Sequence, residues 1–214
     1  MRAFKYPRTP HLPFSEGKTA YDKCLSSDDV FKGKYVVVTE KYDGENTTLY
    51  KDTTHARSLD SSNHYSRNWV KNFWGSIKYK IPYDTRVCGE NLYAVHSIKY
   101  ENLPCYFLGF SFWRLDYCFD WDATICYFDT IGITPVNVLY SGLYDRKVIH
   151  DDWLKLKHIS EGYVVRVVNA FRYTDFNKSV AKFVRKNHVI SDGHWMRSPI
   201  ERNGHINGIK VFST

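Results

Sequence analysis

Apolar and polar positions change period several times along this chain, and each change predicts an element. From residue 34 to 40 the run KYVVVTE is rich in β-branched side chains, which pack well on a pleated surface, and predicts a strand. Asp43-Gly44 marks a turn, and residues 47 to 50 can return as the partner strand of a hairpin. Trp69, Val70, Phe73, Trp74 and Ile77 then recur at three-to-four spacing, which predicts an amphipathic helix over 66–79. Beyond Pro82 the pattern turns to strands over 86–94, 106–113, 162–168 and 180–184. Residues 148–158 read as a short helix that begins near Asp151-Asp152. Upstream, residues 5–17 hold three prolines and predict an extended lead-in. Ser26-Ser27-Asp28-Asp29 offers an N-cap for a short element. These elements make an α+β domain with antiparallel strands and a few helices at its flanks. No repeat, low-complexity tract or linker divides it, and the polar tail after His194 predicts no element.

Composition narrows the class. With 43% hydrophobic and 25% charged residues in 214, the chain has the balance of a soluble globular enzyme. Its formal charge of +7 favours polyanionic partners. Seventeen tyrosines, thirteen phenylalanines and six tryptophans supply core area and also rings able to stack on bases. Cysteines at 24, 88, 105, 118 and 126 form no CxxC pair and are odd in number, which suggests neither a zinc site nor a disulfide framework. With no apolar h-region at the start and no 18-residue apolar run, neither a signal peptide nor a membrane span is expected, and a reducing compartment fits.

The segment with most chemistry is Glu40-Lys41-Tyr42-Asp43-Gly44-Glu45-Asn46, at the end of the first strand. A lysine at a strand end, with a glycine turn three residues on, is held rigidly while nearby amides stay open to a ligand. By itself KYDGEN also reads as a hairpin turn carrying a solvated lysine.

KYDGEN resembles motif I (KxDGxx) of the covalent nucleotidyltransferases, the superfamily of ATP-dependent DNA and RNA ligases and mRNA capping enzymes. Five further segments resemble the later motifs in order: HARS (55–58) motif Ia, CGENLYA (88–94) motif III, YFLGFSF (106–112) motif IIIa, SEGYVVR (160–166) motif IV and VAKFVRK (180–186) motif V. GENLYA, EGYVVR and the opening KYPRTPHLP are similar to the RNA ligase 2-like branch. The resemblance implies one nucleotidyltransferase (ATP-grasp-like ligase adenylation) domain over 1–214, with motifs within 40–186. Only 28 residues follow Lys186, so no C-terminal OB domain is expected.

It further implies ATP and Mg²⁺ (or Mn²⁺) as cofactors, and RNA as partner, as a nicked duplex or an RNA/DNA hybrid. A cytoplasmic setting is expected, in a phage- or virus-encoded protein or otherwise. Lys41 would attack the α-phosphate of ATP to form lysyl-AMP, with its pKa lowered by burial and by Lys182, which would also reach that phosphate. Glu40 would contact the adenine amino edge, Arg57 the ribose or phosphates, and Glu90 a ribose hydroxyl. Asn46 belongs to the same nucleotide-binding set. Phe110 would stack on the adenine, with Phe112 competing for that role. Glu161 would hold the metal. Motif V often has two lysines two residues apart, whereas here the position two after Lys182 is Val184, so Arg185 or Lys186 is left to supply the second cation. Lys5, Arg8 and His11 could touch nucleic acid or pack over the nucleotide, and His64, Arg67 and Lys71 could meet phosphates. A minimal DNA ligase, a capping-type guanylyltransferase and a non-catalytic nucleic-acid-binding module are the alternatives.

Overall fold

The computed structural model describes residues 3–59, 64–186 and 200–206. Its first sheet is built on β1 (Tyr35–Lys41), whose valines are buried on both faces. β1 is flanked by β7 (Val138–Leu143) and β8 (Gly162–Val167), with β10 (Val180–Val184) beyond β8, giving the order β10-β8-β1-β7. The second sheet has six strands in the order β3-β2-β4-β5-β6-β9: β2 (Glu45–Leu49), β3 (Thr54–Ala56), β4 (Thr85–Asn91), β5 (Phe107–Arg114), β6 (Tyr117–Cys118) and β9 (Phe171–Arg172). Every pairing between these strands is antiparallel.

The expected hairpin at Asp43-Gly44 does not form. β2 pairs with β3 and β4, not with β1, so the turn carries the chain from one sheet to the other. A Cβ at Gly44 would lie 2.6 Å from the Asn91 carbonyl oxygen, so only glycine lets the crossing chain pass this close to β4.

Three helices cover the sheets. α1 (Asn68–Ile77) and α2 (Trp121–Ile131) bury Val70, Ile77, Phe128 and Ile131 against Leu49, Val87, Phe107 and Phe112 of the second sheet. α3 (Arg146–Leu154) buries Ile149 and Trp153 with Tyr163 and Phe183 of the first. It begins earlier than expected because Asp145, not Asp151 or Asp152, is its cap: that carboxylate accepts from the Lys147 and Val148 amides at 2.9 and 3.1 Å. A third cluster, including Val37, Leu92, Leu108, Trp121 and Val136, joins the two sheets. The extended lead-in runs along the edge of β10, where Lys182 N donates to Pro10 O and Leu12 N to Lys182 O. Residues 200–206, left unassigned by the sequence pattern, pack on the loop after β4, where Asn203 donates to Leu92 O at 2.8 Å and accepts from Tyr100 N at 2.8 Å. Among the described residues no helix is long and apolar enough to cross a membrane.

Candidate active site

A cavity of about 290 Å³ lies between the sheets, roofed by Tyr6, Pro7, Arg8 and Thr9 of the lead-in. It is near the lower end of the range for small-molecule sites, roughly 300–1,000 Å³. Strand register explains which residues of the first sheet face it. Thr39, Val164 and Lys182 stand directly opposite one another across β1, β8 and β10, and all three line the cavity. Lys41 is two residues beyond Thr39 on that same face, opposite Gly162, which offers no side chain. Lys41, Lys182, Glu40, Asn46, Arg57, Glu90 and Phe110 therefore converge here from segments far apart in sequence.

The Lys41 amine donates to the carboxylate of Glu161, from which it is 120 positions away. Burial pushes this lysine down, but the neighbouring acidic groups, Glu161 first, outweigh burial and hold the ammonium above its ordinary pKa. This corrects the expectation that Lys41 carries the depressed value. The depressed lysine is Lys182, which burial first, and then the Lys41 charge, bring down to about 8. Glu90 is pushed up to about 8, chiefly by burial and then against the pull of Lys41, so it carries a proton at neutral pH.

Glu40 is fixed by Asn137, the residue just before β7. Its amide donates to Asn137 O at 2.8 Å, and the Asn137 side-chain amide donates to its carboxylate at 3.2 Å. Burial raises its pKa, while Asn137 and the Tyr42 hydroxyl oppose that. Asn46 Oδ1 is buried and accepts no hydrogen bond, an orphan acceptor in the cavity wall. Asp43, inside the KYDGEN segment, does structural work: its carboxylate accepts from the Ser97 and Ile98 amides at 2.7 and 3.1 Å and pins the loop after β4.

Phe110 and Phe112 separate cleanly. β5 bulges against β4, with Gly89 opposite Gly109 and Cys88 opposite Ser111, so Phe110 is the extra residue. The bulge shifts the alternation by one. Phe110 lines the cavity with Tyr6 edge-on at 5.2 Å, whereas Phe112 turns to the helical side and stacks on Tyr127 and Phe119.

Other expected contacts are placed elsewhere. Arg185 does not line the cavity; its amide donates to Glu161 O and its Nε to Ser160 O, both at 3.0 Å. Lys186 is exposed beyond the end of β10. Arg67 forms a two-pronged pair with Glu45, and His11 is buried beside Ser15. Arg8 does reach the cavity rim, paired with Asp22 at 3.0 Å.

Sequence reasoning also missed residues that shape the site. Arg166 is buried, donates to Phe110 O and Phe119 O, and ties β8 to the second sheet. Trp121 forms part of the wall. The one available signal was Arg166 itself, a charged residue inside an otherwise apolar strand. For the metal, Glu161 fits a hard cation that takes one protein carboxylate and completes its shell with phosphate and water oxygens. No group of three or more candidate ligands occurs among the described residues.

Two antiparallel sheets closing on a half-buried lysine and carboxylates fit the covalent nucleotidyltransferase class. Residues 34–184 match the family model described as RNA ligase, and the chain belongs to that family. In structure it is similar to an archaeal ATP-dependent RNA ligase, with TM-score 0.53 and 14% identity over 82% of this chain and 48% of that one. It is also similar to a Naegleria gruberi RNA ligase variant with ATP and Mn, with TM-score 0.50 and 14% identity over 86% and 61% of the two chains. At such identities the likeness is one of fold, and the chain spans roughly half to three fifths of these relatives' length. A comparison with curated protein sequences gives no match.

Proposed function

We propose that this protein is an ATP-dependent RNA ligase that joins 5′-phosphate and 3′-hydroxyl ends through an adenylate on Lys41. The observation that carries the reading is the placement of Lys41, which lines the cavity, meets Glu161 through its amine and shares its sheet face with Lys182 of β10.

In the first step the Lys41 Nζ forms a bond to the α-phosphorus of ATP, the bond from that phosphorus to the bridging oxygen breaks, and pyrophosphate leaves. Only the neutral amine is nucleophilic, so Lys41 must give up a proton. Glu161, whose carboxylate accepts from that amine, orients it, and the proton passes to solvent, which reaches the half-buried side chain. Lys182, protonated below about pH 8, offers its charge to the α-phosphate. Glu90, protonated near neutrality, and the orphan acceptor of Asn46 can each exchange a hydrogen bond with ribose hydroxyls. Glu40, held by Asn137, presents a carboxylate to the adenine amino group, and Phe110 offers its face to the ring. Arg57 at the rim serves the phosphates. A divalent ion held by Glu161 would supply charge neutralisation on the triphosphate as pyrophosphate leaves. The AMP then passes to an RNA 5′-phosphate, and a 3′-hydroxyl displaces it to form the phosphodiester.

The test is intact-protein mass spectrometry after incubation with ATP and Mg²⁺. The protein gains one AMP, and Lys41→Ala gains none yet still seals a pre-adenylylated RNA end. Labelling retained in Lys41→Ala would place the nucleophile at another residue.

A further inference from the structure

The chain contains no Asp or Glu between Asp60 and Asp84, although this stretch carries Arg67, Lys71, Lys78 and Lys80 and six aromatic residues. The fold gathers the end of this stretch at one corner. α1 ends at Ile77, and Lys78, Tyr79, Lys80, Pro82 and Tyr83 follow it, all exposed, with Tyr79 at 69% and Tyr83 at 62%. The turn between β2 and β3 brings Lys51 to the same corner, with its amine 4.6 Å from the centre of the Tyr83 ring. Trp74 closes the gap: its Nε1 donates to Tyr50 O at 2.6 Å and its ring lies 4.9 Å from the Lys78 amine.

Exposed lysines of this protein fall into paired and unpaired groups, and Lys5, Lys23, Lys34 and Lys157 share the unpaired state, among the described residues, without a ring beneath them. Lys32, Lys99, Lys147, Lys155 and Lys178 each sit beside a carboxylate. Lys51, Lys78 and Lys80 have no ion pair among the described residues, and the first two lie over aromatic rings instead. Favourable interaction with the negative end of α1 accounts for a cation just after Ile77. It does not account for Lys51, which comes from another element, or for two tyrosine rings left in solvent.

We propose that this corner is a second nucleic-acid contact, separate from the nucleotide cavity, which takes an unpaired stretch of an RNA strand. The lysines would neutralise phosphates while Tyr79 and Tyr83 stack on exposed bases, the combination of charge and ring faces that single strands use. From Asn46 in the cavity wall to Lys51, β2 and its turn span at most about 17 Å, at 3.3–3.4 Å per extended residue. That distance is covered by several nucleotides of a strand whose end lies at Lys41. The proposal rests on the RNA ligase reading only for that last placement; the surface itself is argued from its own charge and rings.

The experiment compares wild type, the triple variant Lys51→Glu/Lys78→Glu/Lys80→Glu and the double variant Tyr79→Ala/Tyr83→Ala. Binding of a labelled 5′-phosphorylated single-stranded RNA is measured by anisotropy across a salt series, beside a blunt RNA duplex of equal length. Three lost phosphate contacts at a slope near 0.7 each should flatten the dependence of log Kd on log salt by about 2 for the triple variant, with affinity at least about tenfold weaker. The double variant should weaken the single strand about tenfold at unchanged salt slope and leave the duplex within twofold. Thermal melting and AMP gain in ATP serve as controls, and both variants should keep them. Single-strand affinity within twofold of wild type in folded variants, or an equal tyrosine effect on the duplex, would overturn the proposal. A wild-type protein that gains no AMP but shows these RNA effects would sink the ligase reading and leave the surface standing.

Discussion

At Lys41 two forces oppose each other, the cost of burying an ammonium and the attraction of acidic groups led by the Glu161 carboxylate, and the attraction wins. Charge in the cavity is thereby arranged in pairs: Lys41 is held charged, while Lys182 is eased towards neutrality and Glu90 keeps a proton. For Glu90 the consequence for stability can be signed. Its folded pKa of about 8 lies above the ordinary 4.5, so between these values the folded protein holds a proton that the unfolded chain has lost. Stability contributed by this group is therefore full below about 4.5 and declines as pH rises through 8. Glu90→Gln, which mimics the neutral acid, should flatten that decline. Relative to pH 4.5 it should gain a few kcal/mol by pH 8, at about 1.36 kcal/mol per pKa unit. Urea unfolding of both proteins across this range checks it, and parallel pH profiles would contradict it. The residue types were legible in the sequence; their charge states were not, because each depends on neighbours brought in by the fold.

At the scale of elements, the β5 bulge decides which ring serves the cavity. Phe110→Ala should weaken ATP binding about tenfold, from a lost stacking interaction of roughly 1–3 kcal/mol, with modest loss of stability. Phe112→Ala should do the reverse. It removes a buried ring that stacks at 3.9 Å on Tyr127, costs about 3–5 kcal/mol of stability, and leaves nucleotide affinity near wild type. Chemical denaturation beside titration of a fluorescent ATP analogue separates the two, and equal effects on binding would argue against the bulge as the deciding feature. The strands β1, β8 and β10 and the helix α1 follow directly from β-branched runs and three-to-four spacing. α2 did not, because Thr124, Ile125, Tyr127 and Phe128 all favour strands. Its signals were at its ends, in the Asp120 side chain that accepts from Ala123 N and in Gly132 at φ 82°. β7 shows little burial pattern because it is an edge strand with exposed residues on both faces.

For the molecule as a whole, Arg166 is the tie between the sheets that form the cavity. Its guanidinium, buried at 5% exposure, satisfies the Phe110 and Phe119 carbonyls and lies 5.5 Å from the Trp121 and Phe171 rings. Arg166→Met keeps the volume but leaves those carbonyls without their donor, which should cost about 2–3 kcal/mol. It should also slow AMP gain, since Phe110 and Val164 would lose their relative placement. Thermal melting and the rate of adenylation measure both, and a full rate in a destabilised variant would show that the tie serves stability alone. The amino-acid sequence by itself determined the strands with continuous β-branched runs, the amphipathic helix, the α+β class and the order of chemically suited segments from Lys41 to Lys182, because those are properties of neighbours along the chain. Only the tertiary structure decided that β1 and β2 belong to different sheets, that Arg185 bonds to the Ser160 and Glu161 carbonyls, that the lead-in roofs the cavity, and that Lys41 is held charged by Glu161. The physical reason is common to all four: steric exclusion, strand register and the balance of burial against charge act through space, between residues whose meeting no local pattern records.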